Sequence, residues 1–218
     1  MYQRRLPPFA SLGSFLSFLE RKDEIHTVEA TVSMRLELTE LHRRTIAEAG
    51  PALRLSHALD DRGVASSLPV VTNLFGTRQR VAWGLGTEPE GLEALGELLA
   101  WMRSPKPPRD LREARTLLRA ARNAFNARPR RIAAPRAWRE IDPDFRQLPV
   151  QTCWPDDAGP LITWGVVITR PPGADNFELY NLGVYRMQVL DRDRAIMRWL
   201  PMRGGARHHR QWQAIGSD

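Results

Sequence analysis

NLGVYR, at residues 181–186, opens the stretch that decides the fold, a predicted pair of strands at residues 184–190 and 195–200. Apolar and polar side chains alternate along both strands with a period of two, which is typical of half-buried strands. If the apolar faces of the two strands coincide, Met187 pairs with Met197. The sequence therefore predicts a β-hairpin in this register.

The predicted register also places Arg186 directly opposite Arg198, across a three-residue turn at residues 191–193. Two arginines that face each other on a sheet repel unless an anion lies between or above them. Guanidinium groups bind phosphates and carboxylates through two parallel hydrogen bonds. The hairpin is therefore predicted to bind an anionic group.

Further motifs surround this hairpin: TCWP at residues 152–155, PLITWG at residues 160–165 and RGG at residues 203–205. Together with NLGVYR and IMRWL, they closely resemble the UbiD family of prenylated-flavin-dependent decarboxylases. The most similar branch acts on 4-hydroxy-3-polyprenylbenzoate in ubiquinone biosynthesis. The resemblance runs from about residue 11 to residue 218. Members of this family are much longer, so we expect the chain to correspond to the front half of such an enzyme.

Helices and strands alternate in the first half of the chain. Apolar periodicity predicts helices at residues 11–21, 38–49 and 90–103, a strand at residues 25–32, and short strands at residues 52–55 and 69–73. The inward face of the third helix is predicted to carry Leu92, Leu95, Leu98, Leu99 and Met102. This alternation favours an α+β fold that begins with an α/β layer domain.

The proline-rich segment SPKPP at residues 104–108 is the predicted domain boundary. We expect an N-terminal α/β domain at residues 1–104, a basic helical or irregular linker at 105–147, and a β-rich unit at 148–218. In the β-rich unit, residues 161–169 read as one near-continuous apolar strand. The resemblance implies that this unit is part of a split β-barrel that binds flavin mononucleotide (FMN).

The resemblance also implies roles for individual residues. Arg186 would be catalytic, holding the substrate carboxylate and supporting the acidic residue that handles the proton. Asn181 would be a ligand of Mn²⁺ or Mg²⁺ that ties the flavin phosphate to the protein, together with a glutamate beyond residue 218. His208 or His209 is a further option as a metal ligand, although paired exposed histidines are commonly inert. The positions that would line the prenylated flavin are Val184, Tyr185, Arg186, Arg198, Trp199, Leu200, Arg203 and Gly204.

The function that the resemblance implies is non-oxidative decarboxylation of a 4-hydroxybenzoate that carries a polyprenyl chain, with prenylated FMN as the electron sink. A separate flavin prenyltransferase would supply the cofactor, and a homo-oligomer is expected. The isolated 218-residue chain is expected to bind flavin poorly and to turn over little. Two alternatives remain open: a non-catalytic remnant or assembly subunit completed by a second polypeptide, and a basic nucleic-acid-binding module that retains the fold.

Composition bears on these alternatives. The net charge is +7, and residues 103–139 carry twelve arginines and lysines. This basic stretch could contact nucleic acid or anionic lipid near a polyprenyl substrate, but it lacks the interleaved aromatic side chains of a single-strand binder. A solvated helical face, or a face that meets the acidic residues of a further domain, is favoured instead, and nucleic acid is disfavoured as a partner.

The location is inferred from the same composition. Cys153 is the only cysteine, which indicates a reducing compartment and a structural thiol rather than a nucleophile. No apolar run reaches the length of a membrane span, and the N-terminus lacks the apolar core of a secretory signal. The expected location is the cytoplasm, with peripheral membrane association as an option.

Overall fold

A computed structural model of the chain describes residues 8–104 and 144–216, with scattered positions between 107 and 142. Most of the predicted linker at residues 105–147 and most of the basic stretch therefore lie outside the described residues. The described helices are α1 (Leu12–Arg21), α2 (Glu37–Ala47), α3 (Arg78–Gly84), α4 (Gly91–Arg103) and α5 (Gly204–Ala214). The described strands are β1 (Ile25–Val28), β2 (Val32–Ser33), β3 (Ala52–Leu55), β4 (Ala58–Leu59), β5 (Val70–Thr72), β6 (Leu161–Ile162), β7 (Val166–Thr169), β8 (Asn181–Val184), β9 (Met187–Val189) and β10 (Ala195–Met197).

The mixed α/β character predicted for the first half is confirmed. Strands β1, β3 and β5 form one sheet, in which β1 is parallel and β5 antiparallel to β3. Helix α1 begins with a capping box between Ser11 and Ser14, which satisfies backbone N–H groups of its first turn. Its buried residues Phe15 and Leu19 pack with Ile25 and Ala52 of the sheet.

The predicted strand at residues 25–32 is wrong in its extent. The chain leaves the first sheet after Val28, and β2 pairs in parallel with β4 as a separate two-stranded sheet. A run of apolar residues cannot reveal such a change of partner, because the side-chain period is the same in both sheets. Strand β4 was not predicted at all, since two residues are too few to show a period.

The predicted inward face of α4 is also wrong in part. Helix α4 forms as predicted, but none of its residues is buried, and Leu99 and Met102 are 57% and 45% exposed. An apolar stripe becomes buried only when another element covers it. Among the described elements, none packs closely along this side of α4.

A buried ion pair holds the first half together. Arg80 of α3 is fully buried, and its Nη1 donates to Glu24 Oε2 at 2.6 Å. Its Nη2 donates to the backbone carbonyl oxygens of Gly50 and Asn73, at 2.8 and 3.2 Å. Because one guanidinium joins α3 to the loops around the sheet, we expect its partners to be essential for stability.

Two predicted strands in the second half are each broken in the structure. Residues 161–169 form β6 and β7, and residues 184–190 are divided between the end of β8 and β9. Strand β6 pairs with β9, while β7 pairs with β8 in a different sheet. Between these pairings, residues 163–165 oppose only residues 185–186, which is a β-bulge. The bulge bends one long antiparallel pair into two sheets.

The predicted hairpin register is confirmed. Met187 pairs with Met197 between β9 and β10, and Ala195 pairs with Val189. The Leu190 N–H donates to Arg194 O at 2.9 Å, which closes the predicted three-residue turn at residues 191–193. The alternation of side chains was therefore sufficient to predict which residues pair.

The two halves of the chain are joined by β-type contacts. Thr152 is fully buried and forms a bridge with Arg35, next to β2. Its Oγ1 donates to Asp61 Oδ2 at 2.6 Å. In addition, Phe75 and Trp164 stack with their ring centroids 5.5 Å apart. The domain limits at residues 104 and 148 stay a prediction.

Candidate functional site

Helix α5 lies against the β7–β8 pair, with its first residue, Gly204, beside Asn181. Asn181 is the first residue of β8, and Gly204 is the first residue of α5. The indole Nε1–H of Trp212 donates to Arg170 O at 2.8 Å, which holds the end of α5 against the end of β7. The first turn of the helix is thereby placed beside Asn181.

The Asn181 carboxamide is half-buried and has a defined orientation. Its Nδ2 donates to Tyr185 Oη at 3.3 Å and to Thr169 Oγ1 at 3.4 Å. Among the described residues, its Oδ1 accepts no hydrogen bond. This oxygen lies so close to Gly204 that a Cβ at position 204 would overlap it. Asn181 therefore has an amide oxygen that is free to bind a ligand.

Tyr185 connects the bulge to the helix. Its side chain is buried, and its hydroxyl accepts the Gly205 N–H at 2.8 Å. The ring packs edge-on against Trp199, with centroids 5.1 Å apart, and folds over Gly183, where a Cβ would overlap it. The hydroxyl of Tyr185 is therefore already engaged within the protein.

Three arginines of the hairpin and the start of α5 have no acidic partner among the described residues. Arg186 lies in the bulge. The last paired residues of the hairpin are Met187 and Met197, so the next position in the same register places Arg186 opposite Arg198. Arg203 immediately precedes α5. All three side chains are exposed, and none forms an ion pair with another residue that the structure describes. Unpaired guanidinium groups and a helix N-terminus both favour an anion.

An apolar face lies on the other side of the β7–β8 pair. Val166 is opposite Val184, and Ile168 is opposite Leu182. All four side chains are 62–65% exposed. Val184, a predicted flavin-lining residue, therefore belongs to an aliphatic surface that is available to a planar ring.

The two histidines of α5 differ in their surroundings. His208 is buried, and its Nδ1 lies 3.0 Å from Thr169 Oγ1. His209 stacks on Trp199, with centroids 6.0 Å apart. In the described part of the chain, no three His, Cys, Asp or Glu side chains form a group that could hold a metal ion. A metal bound by Asn181 would need a further ligand.

Comparison with known proteins accounts for both halves of the chain. A family model described as the 3-octaprenyl-4-hydroxybenzoate carboxy-lyase N-terminal domain matches residues 16–99, and one described as the Rift-related domain of the same enzyme matches residues 130–218. The chain belongs to the UbiD family. The predicted resemblance and the α+β fold class are therefore confirmed.

Solved structures of UbiD-class enzymes are similar over the chain. An evolved dimeric form of HmfF from Pelotomaculum thermopropionicum, in complex with prenylated FMN, has a TM-score of 0.69 and 25% sequence identity, over 95% of this chain and 42% of that one. The vanillic acid decarboxylase of Sedimentibacter hydroxybenzoicus, in its closed form, has a TM-score of 0.69 and 25% identity, over 100% of this chain and 41% of that one. The chain thus spans about two fifths of the length of these relatives.

Cys153 is half-buried, and Thr39, Asp157 and Arg186 are the neighbouring groups that act on its pKa. Burial raises the pKa of its thiol, and the charge of Arg186 partly opposes this rise. A thiol with a raised pKa is protonated and inert at neutral pH. The predicted structural role of Cys153 is consistent with this environment.

Sequence reasoning missed Thr169. Thr169 pairs with Asn181 in the β7–β8 register, 12 residues away in the chain. The signal was present, because pairing the two strands would have placed the threonine beside the asparagine. The pairing of these two strands was not predicted, because residues 184–190 were taken as one unbroken strand, whereas the bulge divides them between β8 and β9.

Proposed function

We propose that this chain is the front portion of a UbiD-family decarboxylase that binds prenylated FMN and a divalent metal ion and acts on 4-hydroxy-3-polyprenylbenzoate in ubiquinone biosynthesis. The observation that carries the proposal is the hairpin register, which places Arg186 opposite Arg198 with neither in an ion pair among the described residues, together with the amide oxygen of Asn181 beside the first residue of α5. The complex of HmfF with prenylated FMN supports the choice of cofactor.

The residues present fit a phosphorylated cofactor. Arg198 and Arg203 provide guanidinium groups for its phosphate, and the aliphatic face that includes Val184 suits an isoalloxazine ring. Trp199 and Gly204 each directly follow one of these two arginines in the chain. The predicted lining residues Tyr185 and Leu200 belong to the same region.

The fit to a metal ion is partial. Asn181 Oδ1 is a neutral oxygen of the kind that binds Mn²⁺ or Mg²⁺. It would hold the ion next to the phosphate, whose charge offsets the unfavourable field of the helix N-terminus. A single oxygen is not a metal site, so we propose that a carboxylate from a part of the enzyme not contained in this chain completes it.

Each chain residue has a defined task in the proposed reaction. When bound, prenylated FMN supplies an electron sink for the bond that breaks as CO₂ leaves. Arg186 would bind the substrate carboxylate and orient it over the cofactor, and its charge would favour the ionised form of a neighbouring acid. The acid that delivers the replacement proton would lie beyond this chain.

The substrate is the most specific part of the proposal. The family models are described by 3-octaprenyl-4-hydroxybenzoate, whereas two similar structures are named for other aromatic acids, vanillic acid and 3,4-dihydroxybenzoic acid. What these acids share is a carboxylate on a phenolic ring, which Arg186 would bind in each case. A flavin prenyltransferase as cofactor supplier, a homo-oligomeric state and a cytoplasmic location with peripheral membrane contact complete the proposal. No helix in the described part of the chain is long and apolar enough to span a membrane.

The test is cofactor retention. The chain is produced together with a flavin prenyltransferase and Mn²⁺, purified, and examined for flavin absorbance. We expect a weak flavin band, because the chain spans only about two fifths of the length of its solved relatives. Arg198→Ala should weaken this band at least tenfold further, because each phosphate contact is a charge-assisted hydrogen bond. Arg194→Ala is the matched control, since this arginine of the same hairpin pairs with Asp191 instead.

Two results would contradict the proposal. One is an unmodified chain that retains no flavin, and the other is an Arg198→Ala variant that retains as much as Arg194→Ala. Retention of flavin without release of CO₂ from the polyprenylated acid would instead identify a non-catalytic, cofactor-binding portion of the enzyme.

A further inference from the structure

We propose that Trp164, supported by Phe75, packs against the ring of an aromatic acid whose carboxylate Arg186 binds. The inference rests on the proposed function, because it names the side chain that would hold the ring of the substrate at the same site. The ligand class is a planar aromatic carboxylate. Neither Trp164 nor Phe75 was predicted to be a site residue.

Trp164 and Arg186 face each other in the bulge. The Tyr185 N–H donates to Gly165 O at 3.3 Å, so Gly165 faces Tyr185. Residues 163–164 are then left to face Arg186, since the regular pairing resumes at the next residue of each strand. Two residues against one is the count that defines a bulge. Trp164 is therefore a cross-strand neighbour of Arg186.

The side chains of Trp164 and Arg186 lie on the same face of the strand pair. Successive residues of a strand point to opposite faces. Trp164 is 71% exposed, whereas a Cβ added to the next residue, Gly165, would overlap the Met187 side chain on the covered face. Arg186 is exposed, whereas the preceding residue, Tyr185, is buried. One ligand on the exposed face could therefore contact both Trp164 and Arg186.

Phe75 fixes the plane of the Trp164 ring. The two rings stack with centroids 5.5 Å apart and an interplanar angle of 29°. Phe75 in turn stacks on Phe15, a core residue that is 4% exposed, with centroids 5.8 Å apart. A Cβ at Gly84 would lie 2.9 Å from the Phe75 ring, so α3 also fits closely against it. The indole is thus held from the side of the core while most of the residue stays exposed.

These two neighbours together select an aromatic acid. A guanidinium group binds a carboxylate through two parallel hydrogen bonds, and Arg186 has no acidic partner among the described residues. In a benzoate the ring is attached directly to the carboxylate, so binding of the charge also fixes where the ring lies. Aromatic rings favour offset-stacked or edge-on contacts with one another. A saturated carboxylate would satisfy Arg186 but would not make such a contact with Trp164.

The contribution of Trp164 should be measurable as affinity for the ring. A contact between two aromatic rings adds roughly a 2- to 12-fold gain in affinity beyond the area that it buries. Trp164→Leu keeps an apolar side chain without a ring and should raise the Kd at least fivefold. Trp164→Phe restores a ring and should recover most of the affinity. Phe75→Leu should raise the Kd by a smaller factor, because it removes the support and not the contact.

The experiment is a titration of the ¹⁵N-labelled chain with 4-hydroxybenzoate. The ring-proton signals of the ligand broaden on binding and give the Kd for every variant. The indole N–H signal of Trp164, assigned by its loss in Trp164→Phe, should shift and thereby locate the site. Cyclohexanecarboxylate is the control ligand, because it has the same charge without an aromatic ring. Trp154→Leu is the control variant, because Trp154 is also an exposed tryptophan of the β-rich half.

The outcomes separate the inference from the function on which it rests. An equal Kd for the unmodified chain and Trp164→Leu overturns the inference and leaves the decarboxylase proposal intact. An equal loss in Trp154→Leu, or equal affinity of the unmodified chain for cyclohexanecarboxylate, does the same. Absence of binding, or binding that Arg186→Ala does not weaken, overturns the inference together with the carboxylate role of Arg186. Flavin retention would then still test the cofactor separately.

Discussion

The hydroxyl of Tyr185 accepts the backbone N–H of Gly205 at 2.8 Å, which joins the bulge of the strand pair to the first turn of α5. The two residues are 20 positions apart, and both are buried. The Asn181 Nδ2 donates to the same hydroxyl. Tyr185 therefore contacts both the candidate metal ligand and the first turn of α5. This contact decides the shape of the proposed cofactor site.

The Tyr185→Phe variant should destabilise the β-rich half. The change removes the only acceptor of the Gly205 N–H in the described part of the chain, and a buried donor without a partner costs about 1–3 kcal/mol. The free energy of unfolding, measured by urea titration of tryptophan fluorescence, would report the loss. Tyr180→Phe is the control, because the Tyr180 hydroxyl forms no hydrogen bond among the described residues. Equal stability of the two variants would refute the role of the contact.

The buried ion pair of Arg80 and Glu24 predicts a large effect in the N-terminal half. Glu24→Gln leaves the fully buried guanidinium without its anion, and breaking such a pair costs about 3–5 kcal/mol. Glu40→Gln, which removes surface pairs with Arg43 and Arg44, should have a much smaller effect, because solvent and salt screen exposed ion pairs. Chemical denaturation of the two variants compares them directly. A Glu24→Gln variant no less stable than Glu40→Gln would count against the buried pair.

Gly205→Ala is predicted to disrupt the proposed cofactor site. An added Cβ would overlap the Trp199 ring and approach Tyr185 Oη to 2.8 Å, so the helix must move away from the bulge. Overpacking of this kind costs about 1–3 kcal/mol. Gly96→Ala on α4 meets nothing within 4 Å and should be neutral or slightly stabilising. Thermal unfolding and flavin retention would both test the difference, and unaltered retention in Gly205→Ala would argue against the site.

Acid stability should depend on Asp144. Hydrogen bonds from Arg146, and the charge of Arg192 on the hairpin turn, hold the pKa of Asp144 well below its ordinary value of 3.8. A carboxyl group with a lowered pKa in the folded state stabilises the protein above its unfolded pKa, and this contribution is lost as pH falls below about 4. Asp144→Asn should therefore reduce stability at pH 7 and flatten its decline between about pH 4 and pH 2. Urea titrations across that range measure the slope.

The control for this prediction is Asp175→Asn, because Asp175 is exposed and forms no ion pair with another described residue. It should change neither the stability at pH 7 nor the slope. An Asp144→Asn variant with the slope of the unmodified chain would show that the Asp144 contacts do not persist in solution.

Local sequence was informative where a pattern repeats. The alternation around Met187 and Met197 predicted their pairing, and apolar periodicity predicted α1, α2 and α4 within a few residues. The motifs around NLGVYR predicted the family, which the family models confirm. The roles of Asn181, Arg186 and the other site residues remain predictions.

Local sequence was uninformative where two distant segments determine the outcome. The bulge at residues 163–165 depends on which strand each half of the pair joins, and an alternating pattern is the same on either side of it. The burial of α4 was predicted wrongly for a similar reason, since an apolar stripe does not specify what covers it.

The sequence by itself determined the strand register of the hairpin, the family and the set of arginines, because each is encoded in short contiguous motifs. Only the tertiary structure decided that Thr169, Asn181, Tyr185, Gly205 and His208 converge. Thr169 lies in β7, Asn181 in β8, Tyr185 in the bulge, and Gly205 and His208 in α5. The physical reason is that hydrogen-bond geometry between distant segments depends on packing, whereas periodicity depends only on neighbouring residues.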